Sequence, residues 1–179
     1  MKSPKSEADF PIQYYKVKST KFTFEATQTK KWTESWLAGR VLNSFAGETS
    51  LRHSDEIVRN DANPDRPADY HMDANDLGDV FDNNTFDAII HDPPWSARQA
   101  EESYEGFQAG EVGATMQMYD QLLKPGGVVI GLGFTTTLMP KRLGYERQEM
   151  AIFETIGRGD DYLGAVDKKM NTTLSSCVE

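Results

Sequence analysis

Asp92-Pro93-Pro94-Trp95 is the segment whose residue types could do chemistry. Asp92 offers carboxylate acceptors. Pro93 and Pro94 carry no N–H, so no local donor competes for the carbonyls beside them. A planar amino group has two N–H donors, and the Asp92 carboxylate and the Pro93 carbonyl could accept both. That pairing draws the nitrogen lone pair out of conjugation and aims it. Trp95 adds a flat face on which a base can stack. The run before the turn, Phe86 to His91, contains Ala88-Ile89-Ile90 and reads as a parallel strand buried on both faces. The prolines stop its ladder. The turn therefore sits at the carboxyl end of a central strand, where open α/β sheets bind ligands.

Three upstream stretches are spaced to serve the same place. In Arg40 to Leu51, RVLNSFAGETSL, Val41 and Leu42 enter a strand and Phe45-Ala46-Gly47 makes a tight small-residue turn. Such a turn brings backbone N–H groups against a ligand. Glu56 to Asn63 reads as the next strand, with Asp61 at its carboxyl end. An acid there is placed to take the two ribose hydroxyls of a nucleoside. Eight residues separate Gly47 from Glu56, which predicts an unusually short helix between the strands. Tyr70 to Leu77 gives a third strand end carrying Asp73, Ala74 and Asp76. Either acid there could instead cap the next helix.

The Asp-Pro-Pro-Trp turn resembles the signature of the S-adenosylmethionine-dependent amino-methyltransferases of nucleic acids, and especially their adenine-type members. The resemblance covers about residues 38–170. It implies an α/β, Rossmann-like class I methyltransferase fold: a mostly parallel sheet closed by a C-terminal antiparallel hairpin. It implies S-adenosyl-L-methionine as cofactor, with Phe45, Ala46 and Gly47 cradling the methionine end. Asp61 would take the ribose, and Asp73 with the Ala74 backbone the adenine. Asp92, Pro93, Pro94 and Trp95 would form the catalytic turn, with no metal. Asn43 stands where an Asp is usual, and Glu48-Thr49-Ser50 replaces a later glycine. The implied activity is methyl transfer to the exocyclic amino group of adenine in DNA, on a base flipped onto Trp95. The same chemistry on RNA or on cytosine is an alternative. So is a non-catalytic subunit that keeps the fold, which the irregular FAGETS stretch favours.

Composition bounds these readings. The chain has 179 residues, one domain by length, with a net charge of −9. Residues 1–40 carry eight Lys/Arg against four Asp/Glu, and the remainder eleven against twenty-four. An acidic catalytic body with a basic arm fits this, as does an acidic surface adapted to high salt. No window reaches about 18 apolar residues, so no membrane span is expected. Cys177 is the single cysteine, which excludes an internal disulfide framework and suits a cytoplasmic protein.

The remaining elements follow in order. Residues 1–31 form a polar, basic N-terminal arm, with Met1 to Asp9 disordered and Tyr14 to Phe24 a short strand or extended segment. In it, Lys16, Lys18, Lys21, Lys30 and Lys31 interleave with Tyr14, Tyr15, Phe22, Phe24 and Trp32, the composition of a strand-tracking surface. The methyltransferase-like domain then runs over 32–170, and residues 171–179 form a loose tail. Thr33 to Leu37 predicts a helical turn with Thr33 as N-cap. Residues 96–113 read as a polar loop beside the site, with Arg98, Tyr104 and Phe107 as candidate contacts. Glu111 to Leu123 has a helical period. Lys124-Pro125-Gly126-Gly127 stops that helix, and Val128 to Phe134 is the next buried strand. Two runs around Gly157 to Asp161 make a hairpin with Arg158 at its tip. His53, His71 and His91 do not share metal-ligand spacing; His91, beside the turn, reads as a satisfied buried histidine, with a supporting partner of the turn as the alternative.

Overall fold

A computed structural model describes residues 9–53, 55–94, 112–157 and 159–171. Seven strands form one sheet in the order β1-β6-β7-β5-β4-β2-β3. They are β1 (Ile12–Lys18), β2 (Val41–Asn43), β3 (Ile57–Arg59), β4 (Phe86–His91), β5 (Leu123–Gly133), β6 (Tyr145–Ile156) and β7 (Tyr162–Lys169). Among the described residues two α-helices, α1 (Thr27–Ser35) and α2 (Val112–Leu122), accompany them, with 3-10 turns at Thr23–Glu25, Ala74–Asp79 and Lys141–Leu143. Every strand pair is parallel except the two made by β7, which runs against β5 and β6. The mostly parallel sheet with a closing β6-β7 hairpin is the expected architecture.

The pattern of β4 explains its central place. Ala88, Ile89 and Ile90 are fully buried, as a strand covered on both faces requires. One core contains Leu42, Ile89, Val129 and Tyr119 of α2. The other contains Val41, Ile90, Ile130, Phe153 and Trp32 of α1. β4 pairs with β2 on one side (Asn43 opposite Ile90) and with β5 on the other (Ile90 opposite Ile130).

Several expectations are corrected. The helix expected at Thr33–Leu37 runs from Thr27 to Ser35, with Ala26 at its N-cap and Thr33 in its last turn. Its buried residues are Thr29, Trp32 and Thr33, so its inner face carries almost no apolar period to read. No helix lies between Gly47 and Ile57 among the described residues; the chain crosses there as irregular loop. The third strand reduces to one parallel bridge between Asn60 and Tyr70. Asp73 then caps the 3-10 turn, and β3 itself is only three residues long. Lys124 to Gly127 lie inside β5 rather than ahead of it. The ladder passes from Phe86 opposite Leu123 to Ala88 opposite Val128, so these residues bulge out of register. Gly127 is required there, because a Cβ would stand 2.8 Å from the Asp87 carbonyl oxygen.

The basic segment is built into the sheet. β1 pairs along its length with β6, Tyr15 stacks on Phe153, and Trp32 meets the same ring edge-on. Phe22, Phe24 and Trp32 are buried. Of the interleaved aromatics only Tyr14, 58 % exposed, stands outward, on the strand face shared by Lys16 and Lys18. Most of the aromatics expected on a strand-tracking surface thus form core instead: Tyr15 turns inward on β1, Phe22 and Phe24 lie at the 3-10 turn that follows, and Trp32 falls in α1. Among the described residues no helix is long and apolar enough to cross a membrane.

Candidate active site

The carboxyl ends of β2, β3 and β4 hold the candidate residues. β4 ends at His91, and Asp92 follows it, 7 % exposed, with Thr23 Oγ1 donating to its Oδ1 across 3.3 Å. Thr23 belongs to the segment before α1, so the N-terminal elements reach the acidic turn. Pro93 and Pro94 are half-buried beyond it. Trp95, Arg98, Tyr104, Phe107 and Arg158 lie outside the described residues.

β2 delivers the second turn beside the first. Ser44 donates to the Ile90 carbonyl from its backbone N–H, at 3.2 Å, and from its hydroxyl, at 2.7 Å. The Phe45 ring then meets the His91 ring edge-on, with centroids 5.4 Å apart. Ala46 N–H donates to the Asn60 carbonyl at 2.8 Å. Gly47 has φ of +55°, the left-handed region where glycine costs least, and its missing Cβ leaves open space. Its N–H donates 2.8 Å to Asp61 Oδ2, and Asn63 N–H donates 3.0 Å to Asp61 Oδ1. Asp61 is 7 % exposed. A carboxylate has about four acceptor sites, so each oxygen keeps capacity for a ligand hydroxyl.

Asp73 accepts from Asn75 N–H at 2.8 Å and caps the 3-10 turn, with Ala74 buried behind it. It is half-buried, whereas Asp76 is exposed. Phe45, Ala46, Gly47, Asp61, Asp73 and Ala74 therefore surround one end of the sheet, continuous with Asp92. The open space at Gly47, the spare acceptor capacity of Asp61 and the half-buried Asp73 fit a nucleoside-bearing cofactor.

Three residues to which the sequence gives no role at the site hold this frame. Asn60, buried, donates from Nδ2 to the Ser44 and Met72 carbonyls at 3.2 and 3.1 Å and accepts from Met72 N–H at 3.3 Å. It ties the three strand-end loops together. Arg59 donates from Nη2 to the Gly47 carbonyl at 3.0 Å and to the Ala46 carbonyl at 3.5 Å. In a glycine turn that opens a helix, following amides would take those carbonyls; here there is no helix, and a guanidinium replaces them. Tyr119 of α2 is buried, with its hydroxyl bonded to Ser44 Oγ and 3.0 Å from His91 Nδ1. Buried Asn60 was the one legible signal, a polar residue within a strand run.

Burial lowers the His91 pKa to about 4. Phe45 and Tyr119 pack on the ring, and neither is a carboxylate that would hold its charged form. In the unfolded chain a histidine titrates near 6.5, so between about pH 6.5 and 4 only the unfolded state gains the proton. Stability is present above pH 6.5 and is lost as pH falls, by roughly 3 kcal/mol in total. The urea midpoint should therefore drop between pH 7 and 5, and His91→Gln should remove most of that drop. An equal drop in the variant would assign it to other groups.

No family model matches the chain, and no curated protein matches it in sequence. Solved structures do. It is similar to TrmN from Thermus thermophilus, with a TM-score of 0.58 and 18 % identity, over 80 % of this chain and 48 % of that one. The chain thus spans about half the length of TrmN. A Clostridium thermocellum protein whose name assigns it to the rRNA methylases matches with a TM-score of 0.52 and 9 % identity, over 84 % of this chain and 99 % of that one. A 1,6-didemethyltoxoflavin-N1-methyltransferase from Burkholderia thailandensis, solved with S-adenosylhomocysteine, matches with a TM-score of 0.51 and 13 % identity, over 74 % and 71 %. The fold is the one these methyltransferases share.

Proposed function

We propose that this chain binds S-adenosyl-L-methionine and transfers its methyl group to an exocyclic amino nitrogen of a nucleic-acid base, adenine in DNA foremost. The observation that carries the reading is the junction of the two turns. Ser44 is bonded to Ile90, and Phe45 rests on His91, so the glycine turn lies directly beside Asp92. A ligand cradled at Phe45 to Gly47 would end next to the acidic turn. The bound cofactor supplies an electrophilic methyl group. Asp61 would take the ribose hydroxyls, and Asp73 with the Ala74 backbone would take the adenine. Asp92 and the Pro93 carbonyl would accept from the two amino N–H groups of the target base and aim its lone pair. Trp95 would stack on the flipped base. Much of the rate would then come from positioning.

RNA is the second reading, and the resemblance to the Clostridium thermocellum protein favours it. The test is transfer of labelled methyl from S-adenosylmethionine to unmethylated plasmid DNA and, in parallel, to total RNA, at low and at molar salt. Label in DNA as methyladenine supports the first reading, and label only in RNA supports the second. No label in either, with no cofactor binding by calorimetry, would refute both.

A further inference from the structure

The buried hydroxyls between α2 and the strand ends define where each proton lies. Ser44 Oγ is 2.7 Å from the Ile90 carbonyl oxygen, which can only accept, so the single Ser44 hydroxyl proton is committed there. The Tyr119 hydroxyl bonds the same Ser44 oxygen, and the proton between them must be Tyr119's. His91 Nδ1 lies 3.0 Å from the Tyr119 oxygen, whose proton is already used. Nδ1 must therefore carry a proton and donate it. The chain of donors runs from His91 to Tyr119 to Ser44 to the Ile90 carbonyl.

We infer that His91 is held as the neutral Nδ1–H tautomer by Tyr119 and Ser44, and that this relay makes His91 and Tyr119 positioning residues coupling the acidic turn to the cofactor turn. One end of the relay is the residue before Asp92; the other is the residue before Phe45. Both ends are buried, and the tyrosine between them comes from a helix distant in sequence. The relay stops at a backbone carbonyl, so it stores no proton and only orients. A solvated histidine side chain favours the Nε2–H form, so the bound tautomer is set by the hydrogen bond that the fold gives Nδ1. The His91 ring makes no other hydrogen bond among the described residues, and with Nδ1 protonated the neutral ring leaves Nε2 without a proton. The coupling rests on the proposed methyl transfer; the tautomer does not.

The tautomer is measured directly by long-range nitrogen–proton correlation spectra of the full chain labelled at its histidines, at neutral pH. His91→Gln assigns the signal. The expected pattern for His91 is protonated Nδ1 and bare Nε2. The Nε2–H pattern would overturn the relay. Tyr119→Phe removes only the hydroxyl. It should shift His91 toward the Nε2–H form and lower kcat about fivefold, the worth of one hydrogen bond, with the cofactor KM changed less than about twofold. Tyr145→Phe, which deletes a hydroxyl bonded to Asp120, next to Tyr119 on α2 but outside the relay, should change neither readout. A Tyr119→Phe enzyme with unaltered kcat would overturn the coupling. A wild-type protein inactive on both nucleic acids would overturn the functional reading and the coupling with it, while the spectrum would still decide the relay.

Discussion

Replacing Asp92 with alanine is expected to lower methyl transfer by at least about a thousandfold while changing affinity for S-adenosylmethionine by less than about threefold. The carboxylate is the charged acceptor placed where the β4 ladder ends, and its proposed partner is the target amino group. Without it the amino group loses the acceptor that orients its lone pair, and the methyl acceptor is presented in many orientations. The proposed cofactor contacts lie elsewhere, on Phe45 to Gly47, Asp61 and Asp73. Single-turnover transfer and calorimetric titration of the same sample separate the two effects. Loss of both together would mean that Asp92 is structural, holding Thr23 and the N-terminal segment in place. Asp92→Asn keeps the shape and one acceptor oxygen, so its rate should fall between the two.

Asp61→Ala should produce the opposite split. Both carboxylate oxygens accept backbone N–H groups, from Gly47 and from Asn63, in a buried setting. Bonds to a charged acceptor contribute about 1.5–3 kcal/mol each, and the deserted N–H groups carry a desolvation penalty. The glycine turn then loses its anchor, and the ribose loses its proposed acceptor. Cofactor affinity should fall about a hundredfold, equivalent to roughly 2.7 kcal/mol, with a lowered melting temperature. Asp61→Asn retains one acceptor oxygen, so it should recover part of the stability and less of the affinity. Unchanged affinity in Asp61→Ala would remove this acid from the binding site and leave it as a clamp on the turn.

Much of the sheet could be read along the chain. Central strands buried on both faces need continuous apolar runs, and Ala88-Ile89-Ile90 and Val128 to Leu132 carry them. The β6-β7 hairpin follows from an alternating run over Glu149 to Ile156 and a second run from Tyr162 to Val166, joined by a short glycine-containing loop. The elements that were misread lack this signal for physical reasons. α1 buries threonines and one tryptophan, so it has no apolar stripe. The crossing from Gly47 to Ile57 is too short for a helix of useful length, and Leu51 and Arg59 serve in its place. The Tyr14 to Trp32 aromatics look like an exposed surface only when their alternation on β1 and the inward side of α1 are unknown.

The acidic turn was determined by the sequence alone, because its chemistry is local: a carboxylate followed by two residues without N–H groups, at the end of a strand. The glycine turn and the acids at positions 61 and 73 stand out as candidates by their order and spacing. The tertiary structure decided how these parts are held. Gly47 finds Asp61 across 14 residues, His91 finds Tyr119 across 28, and Ser44 finds Tyr119 across 75. A polar side chain carries no mark of which distant group it will meet. Such partners are chosen only when burial removes water and leaves each donor a single acceptor within reach.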